Sequence, residues 1–322
     1  MSIRWGFIGA GMVATKALAP AVHAASNATL TAAASRDLIR AQALAPARIY
    51  HGLESYNQII ADPDIDAVYI NLANHQHHQW AIAALENGKH VLCEKPLALN
   101  FSQANEMASA AEENGRLLIE AAWMRWHPRT KRAVELVRTG SIGQLTSIES
   151  AFTFTADLKN NFRAQEGGGS LLDVGTYQFQ LWRALIDPWL SPTLTEVTQC
   201  INENGADLST QVSAKVKDIT GADIKLSALS SFVAPEQQFA KISGAENRID
   251  FTKGAAFTAW RQASALQIGD YAEEFAPVDA YQIMIEAVSA RISGQDSWVL
   301  PIQESLDVAQ LVDSVAGHNF IK

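Results

Sequence analysis

Six residues, Gly9-Ala10-Gly11-Met12-Val13-Ala14, constrain this chain more than any others. They follow Ile3-Arg4-Trp5-Gly6-Phe7-Ile8, which reads as a buried strand, and they lead into a helical pattern. A Gly-x-Gly-x-x-Gly/Ala sequence between a strand and a helix is the fingerprint of a dinucleotide-binding turn. Gly9 permits the tight turn, Gly11 lets the backbone approach a pyrophosphate, and Ala14 in the third slot lets the helix pack closely on the strand. The helix N-terminus offers N–H groups and a partial positive charge to the phosphates. Ala10, Met12 and Val13 are candidate contacts of the same turn.

The alternation of strand and helix then continues. Leu30-Thr31-Ala32-Ala33-Ala34 reads as a strand ending in Ser35-Arg36-Asp37. An NAD site usually presents an acid to the ribose at this tip. Here a hydroxyl and a guanidinium come first, and both suit a 2′-phosphate. NADP is therefore expected, with NAD as the alternative if Asp37 faces the ribose rather than merely beginning the next helix. Asp66–Ile70 is a further buried strand, followed by Asn71-Leu72-Ala73-Asn74-His75-Gln76-His77-His78. Three histidines in four residues invite a metal, but a second ligand cluster is missing and none is expected. The competing reading is a loop at the strand's C-terminal edge, facing a nicotinamide, with Leu72, Asn74 and His77 as contacts. His77 then begins a helix through Glu86 that ends near Gly88.

Lys89–Cys93 is the next strand and runs straight into Glu94-Lys95-Pro96. A helix over roughly 101–114 and a strand, Arg116–Glu120, follow. Such alternation indicates an α/β fold with a doubly wound parallel sheet. The first domain is placed at 1–121 and the second at 122–322. Ligands of open parallel sheets bind beyond the carboxyl ends of the strands, which is where Lys95 stands. Pro96 pushes Lys95 out of the helical region into an extended conformation.

In the second domain, 129–139 reads as a helix closed by Gly140, and Ile148, Ser150, Phe152 and Phe154 alternate as a half-buried strand. Arg163 either steadies a substrate or phosphate or lies plainly on the surface. Glu166-Gly167-Gly168-Gly169 marks a backbone turn or a close approach to a ligand. In a helix from about Ser170 to Ile186, Leu171, Val174, Leu181, Trp182 and Leu185 form a core stripe. Asp173, Tyr177 and Gln180 share a separate, more polar face. Gly175 inside this helix suggests close packing against the cofactor or the first domain. Beyond 190 the period becomes two, over Leu208–Val216 and Ile224–Phe232, with shorter runs near 238–243, 247–251, 256–260 and 264–268. These predict a large, open, mainly antiparallel sheet in an α+β domain, with a turn at Gly221-Ala222-Asp223. Helices at about 278–293 and 302–316 close the chain.

Composition removes several classes. With 25 basic against 34 acidic residues the net charge is −9, which argues against unaided binding to nucleic acid or an anionic membrane. No window reaches ~18 consecutive apolar residues, so no membrane helix is expected. Cys93 and Cys200 lie far apart without metal or disulfide spacing. The N-terminus shows no leader pattern, and a cytoplasmic location is expected.

The ordered set Gly9-Ala10-Gly11, the loop with His77, Gly88 to Pro96, Trp123-Met124-Arg125-Trp126-His127-Pro128, and Gly167 to Tyr177 resembles the Gfo/Idh/MocA oxidoreductase family. Within it the chain is most similar to the branch holding dimeric dihydrodiol dehydrogenase, NADP-linked aldose 1-dehydrogenase and glucose-fructose oxidoreductase. The resemblance implies an N-terminal Rossmann domain followed by a substrate and oligomerisation domain, and the apolar positions of the C-terminal sheet point to a homodimer or higher homo-oligomer formed through it. It implies that Lys95, with Glu94, lies beside nicotinamide and substrate, that Tyr177 is the partner acid/base four residues after Asp173, and that the Lys95–Pro96 bond is cis. Trp123, Arg125, Trp126 and Arg163 are the expected substrate contacts beside Tyr177. Where many members carry a Pro after the third strand, this chain has Ala73. The expected reaction is NADP-dependent oxidation of a hydroxyl on a sugar or cyclic polyol. A trans-dihydrodiol dehydrogenase, a tight-cofactor enzyme exchanging hydride between sugars, and a non-catalytic cofactor-sensing regulator are the rivals.

Overall fold

Trp5 sits with no exposed surface in the first strand, β1 (Ile3–Ile8), and the first unit of the protein is built outward from it. The computed structural model describes residues 2–159 and 161–318; the outermost ends of the two expected domains, Met1 and 319–322, lie outside them. The chain divides into two compact units, Met1–Trp123 with Asp279–Leu306, and Met124–Val278 with the residues from Asp307 onward. Residues 279–306, expected with the second domain, fall in the first unit.

The first unit holds a six-stranded parallel sheet. Its strands are β1, β2 (Ala28–Ser35), β3 (Arg48–His51), β4 (Ala67–Ile70), β5 (His90–Cys93) and β6 (Leu118–Glu120). Their order is β3-β2-β1-β4-β5-β6, the doubly wound arrangement. Central strands covered on both faces read as continuous apolar runs, and all four residues of β4 are buried. The helices are α1 (residues 12–24), α2 (Leu38–Gln42), α3 (Ser55–Ala61), α4 (Asn74–Glu86), α5 (Phe101–Glu113) and α8 (Ala280–Ile292). α1 is π-helical over Ala14–Leu18. Helix α4 begins at Asn74, three residues before the expected His77, and ends at Glu86, with Gly88 at φ 75° two residues on. Asn100 caps α5 by accepting from the Gln103 N–H at 2.9 Å. The Trp5 indole N–H donates to Ser289 Oγ on α8 at 3.1 Å. Burial of each such large side chain contributes about 1.5–3 kcal/mol.

The second unit holds an eight-stranded sheet. Its strands are β7 (Leu145–Thr155), β8 (Thr193–Ile201), β9 (Asp207–Lys217), β10 (Asp223–Ser231), β11 (Val233–Gly244), β12 (Arg248–Thr252), β13 (Ser264–Ile268) and β14 (Tyr271–Phe275). In the order β14-β13-β12-β11-β7-β10-β9-β8 every neighbouring pair is antiparallel except β7 and β10. Val212, Ala214 and Val216 alternate with exposed or half-exposed residues along β9, as Ile224, Leu226 and Ala228 do along β10. Helix α7 (residues 171–185) packs on the buried face, together with α6 (Pro128–Arg138). Gln178 of α7 fastens it, accepting from Ser150 Oγ at 2.8 Å and donating to Ser230 Oγ at 2.9 Å. Helix α9 (Ile302–Ala316) follows Pro301 and stops before Gly317, as the sequence predicts.

The expected strand near 256–260 does not form. Residues 255–258 are turn-like, although Phe257 is fully buried. The buried Arg129 guanidinium donates to the carbonyls of Ala255 and Ala256, each at 2.8 Å, and to Thr252 at 3.4 Å. That side chain gives the backbone acceptors the partners a neighbouring strand would otherwise supply.

Candidate active site

Each unit carries its own set of candidate residues. In the first, β1 delivers Gly9 into its turn with φ 94°. A Cβ at Gly9 would strike the Asn71 carbonyl, and one at Gly11 would strike Asn71 Oδ1. That oxygen also accepts the Gly11 N–H at 3.0 Å. Both glycines are thus required by the residue after β4, in addition to any need for a phosphate to approach. Asn71 was missed by sequence reasoning. Ala14 is fully buried, as the third slot demands. Ala10 is buried, Gly11 and Val13 are half-exposed, and Met12 leaves 62% of its surface exposed at the start of α1.

At the tip of β2, Ser35 Oγ accepts the Asp37 N–H at 3.1 Å. Asp37 caps α2 by accepting from the Arg40 N–H at 3.1 Å. Of its two expected roles, the helix-starting one is formed. Arg36 is exposed, and Arg40, one turn further on, pairs with Asp37 at 3.5 Å. Arg40 is a second cation at this tip that sequence reasoning passed over, though its spacing of four from Arg36 was a signal.

Helix α4 turns His77 into the interior, where both ring nitrogens meet carbonyls, Nδ1 with Pro96 at 2.9 Å and Nε2 with Leu72 at 3.1 Å. Burial pushes its pKa down, against the opposing pull of those two carbonyls. His77 therefore braces the loop after β4 against the Glu94–Pro96 turn. His78 pairs with Glu106 at 2.8 Å, and among the described residues no cluster of His, Cys, Asp or Glu is arranged to hold a metal. Leu72 and Asn74 are half-exposed beside it.

β5 ends at Cys93, and the next residues form the turn of interest. Glu94 is buried and its Oε1 accepts the Tyr69 hydroxyl at 2.6 Å. Its Oε2 accepts the Lys95 backbone N–H at 3.3 Å. Lys95 itself is half-exposed, and its bond to Pro96 is cis. Trp123 closes this unit, buried with its ring 5.5 Å from that of Tyr281.

In the second unit Arg125 is buried and donates to Gln180 Oε1 at 3.1 Å. Trp126 is 1% exposed, so it belongs to the core and offers no open aromatic face. Helix α7 carries Asp173 and Tyr177 one turn apart, both half-exposed. Arg163 Nε donates to Asp173 Oδ2 at 2.7 Å, and its guanidinium lies 4.7 Å from the Phe162 ring centre and about 6 Å from those of Phe154 and Phe232. Asp173 thus has a cation within its own unit, a pairing not anticipated. The Tyr177 ring lies 5.7 Å from Phe152 and 6.4 Å from Phe257.

The start of α7 is fixed by Asp207, which accepts from the Leu171 N–H at 2.8 Å and from Ser170 Oγ at 2.6 Å. Burial pushes the Asp207 carboxyl up, while these donors oppose the rise. A Cβ at Gly169 would run into Asp207, and one at Gly168 would lie 2.5 Å from the Phe162 carbonyl. The glycine run is therefore tight against its own chain. Gly175 is likewise tight against Ser230 of β10, where a Cβ would lie 3.0 Å from Oγ, so the close packing expected at this glycine is met on the second sheet.

Comparison with known proteins places these features. The pattern of the oxidoreductase family with NAD-binding Rossmann fold matches residues 3–121, and that of the GFO/IDH/MocA C-terminal domain matches 130–256. A D-xylose 1-dehydrogenase (NADP(+)) from Haloferax volcanii is 31% identical across 97% of this chain and 95% of that protein. This chain belongs to the GFO/IDH/MocA oxidoreductase family. A second relative of this GFO/IDH/MocA protein, an uncharacterized oxidoreductase from Rhizobium meliloti, is 42% identical over 54% of this chain and only 53% of its own length. The chain is thus matched to about half of that relative. A 3-ketoreductase from Actinomadura kijaniata, solved with NADP and TDP-benzene, superposes with a TM-score of 0.84 at 26% identity, covering 98% of this chain and 97% of the other.

A GFO/IDH/MocA member with this N-terminal half is an oxidoreductase with an NAD-binding Rossmann unit. The residues present fit a dinucleotide. The glycine turn leaves only the buried Ala10 methyl between β1 and α1, the exposed Met12 marks apolar surface at the helix start, and Ser35, Arg36 and Arg40 cluster at the next strand tip. Among the described residues no helix is long and apolar enough to cross a membrane.

Proposed function

We propose that this protein is an NADP-dependent dehydrogenase acting reversibly on a hydroxyl-bearing carbon of a sugar or cyclic polyol. The observation that carries the reading is Lys95, half-exposed just beyond β5 on a turn fixed by the Glu94–Tyr69 hydrogen bond and by His77 on Pro96. The sugar class is supported by the xylose dehydrogenase and the 3-ketoreductase among the relatives. NADP over NAD is supported by two cations at the β2 tip and by Asp37 being engaged as a helix cap.

Bound nicotinamide supplies the hydride chemistry. The chain's own residues supply the rest. Tyr177 takes the hydroxyl proton, and the Lys95 ammonium holds the substrate oxygen. Free Tyr and Lys both titrate near 10, and a base works best with its pKa near ambient pH. Arg163 holds the Asp173 carboxylate at one turn from Tyr177 and orients it toward the hydroxyl-bearing substrate. Arg125, braced by Gln180, is a further substrate contact.

The test is a panel of aldoses, cyclic polyols and aromatic trans-dihydrodiols, each with NADP⁺ and with NAD⁺, followed by nicotinamide absorbance. Aldoses or cyclic polyols are expected to turn over with NADP⁺ preferred. Turnover of dihydrodiols alone would move the substrate class. Turnover of nothing in the panel, with NADP still bound, would replace the enzyme by a cofactor-sensing regulator.

A further inference from the structure

The turn that carries Lys95 rests on a second buried carboxyl that the proposed chemistry does not use. Glu120 ends β6 and is 2% exposed. It is the ladder partner of Cys93, and the Ala121 N–H donates to the Cys93 carbonyl at 2.7 Å. Glu120 therefore lies one rung from Glu94 and two residues across from Lys95. Glu94 is held by the Tyr69 hydroxyl at 2.6 Å and by the Lys95 N–H at 3.3 Å. Around Glu120 stand the Leu97 N–H and, from α9, the buried Ser305 hydroxyl, which makes no hydrogen bond of ordinary geometry; both favour its ionised form. All of these residues belong to the first unit.

We propose that Glu120 is a positioning residue for the reaction, holding Lys95 in its charged form through the cluster of Tyr69, Glu94, Glu120 and Ser305. The physical reason is charge balance in a dry place. Two carboxyls one rung apart in an apolar interior cannot both ionise cheaply, and a nearby ammonium makes it easier. Burial pushes Glu120 up to about 7, with Glu94 adding to the rise, while Ser305, the Leu97 N–H and Lys95 pull it back. The other groups facing the cluster reinforce its sensitivity to charge. The Cys93 thiol is pushed up by burial and by both carboxyls, and the Tyr69 hydroxyl by burial and by Glu94, with Tyr281 of α8 beside it. His77 of α4 approaches through the Pro96 carbonyl.

Coupling of this kind is mutual. An ionised Glu120 holds the proton on Lys95; a protonated Glu120 releases that hold. Glu120 does not touch the reacting atoms and acts through Lys95. The inference rests on the role given to Lys95 above, and its test separates the two.

Glu120→Gln keeps the shape of the side chain and removes its titration. We expect kcat to fall about tenfold with KM for the sugar unchanged, and the near-neutral limb of the kcat–pH profile to vanish. In the same variant, without substrate, the Lys95 amine followed by 15N NMR should titrate about one unit lower. Glu120→Asp should recover part of both effects. Ser305→Ala, a mild change, should move the limb to higher pH by removing a hydroxyl dipole that favours the carboxylate. A folded Glu120→Gln protein with the wild-type limb and an unmoved Lys95 titration overturns the proposal. Should Glu120→Gln not fold, an unmoved limb in Ser305→Ala overturns it. Full kcat in Lys95→Ala would instead sink the dehydrogenase role of Lys95, and the NMR titration would still decide its coupling to Glu120.

Discussion

Arg36 and Arg40 flank Asp37 at the end of β2, and the acid between them is occupied as the cap of α2. A charge-assisted hydrogen bond contributes about 1.5–3 kcal/mol, so Arg36→Ala should raise the KM for NADP⁺ roughly 10- to 100-fold and hardly alter that for NAD⁺. Steady-state kinetics with both cofactors decides it; an equal rise for NAD⁺ would remove the 2′-phosphate role. For the chemistry itself, Lys95→Ala and Tyr177→Phe should each lower kcat by about a hundredfold or more. NADP affinity, read by fluorescence titration, should survive in both, and a near-normal kcat in either would release that residue from the mechanism. At this scale the sequence was legible where chemistry follows a local pattern. Gly9, Gly11, Ser35, Arg36 and Lys95 are read as candidates from the strand ends on which they sit, and Tyr177 from the family resemblance. Asn71 and Asp207 were not, because the groups they serve, Gly11 and Leu171, lie 60 and 36 positions away. No window of sequence joins such partners.

The helices and central strands were legible because burial writes a period into them. The strands that escaped, β3, β8 and β14, all stand at sheet edges. An edge strand has one neighbour and an exposed flank, so it need not carry an apolar pattern, and β8 has no fully buried residue. The opposite error, a strand near 256–260, came from apolar residues buried in an irregular segment whose carbonyls Arg129 satisfies. Helix α7 gives the prediction that belongs to this scale. Replacing Gly175 by Ala in an open helix would stabilise by about 1 kcal/mol. Here the new Cβ meets Ser230 Oγ, which Gln178 holds in place. Gly175→Ala is therefore expected to destabilise by about 1–2 kcal/mol net, as overpacking does. Urea denaturation reads it, and a second change, Ser230→Ala, should recover much of the loss. A stabilised single variant would show that the β10 contact yields.

For the molecule as a whole, buried histidines set an acid limit. His127 is pushed down to about 4 by burial and by neighbouring Arg129, against the pull of the Ala259 carbonyl, and burial also lowers His77 and His90. An unfolded histidine titrates near 6.5, so between that pH and about 4 the unfolded chain binds protons that folded His127 refuses. Stability should be full above about pH 6.5, decline as pH falls, and lose roughly 3 kcal/mol through His127 by pH 4. His127→Asn keeps the cap on the Arg129 N–H while removing the titration, and should flatten the decline in melting temperature over that range. An unchanged slope would assign the loss elsewhere. The hydrogen bond from Trp5 to Ser289 has a consequence for synthesis. It joins positions 284 apart, and Asn27 likewise donates to the Glu286 carbonyl at 2.9 Å. A nascent chain leaves the ribosome in order, so the Rossmann sheet emerges long before the helix that seals it. Until residue 292 is free of the exit tunnel, the seat of α8 lies open, and the whole second sheet can form meanwhile. The first unit to begin folding is thus the last to finish.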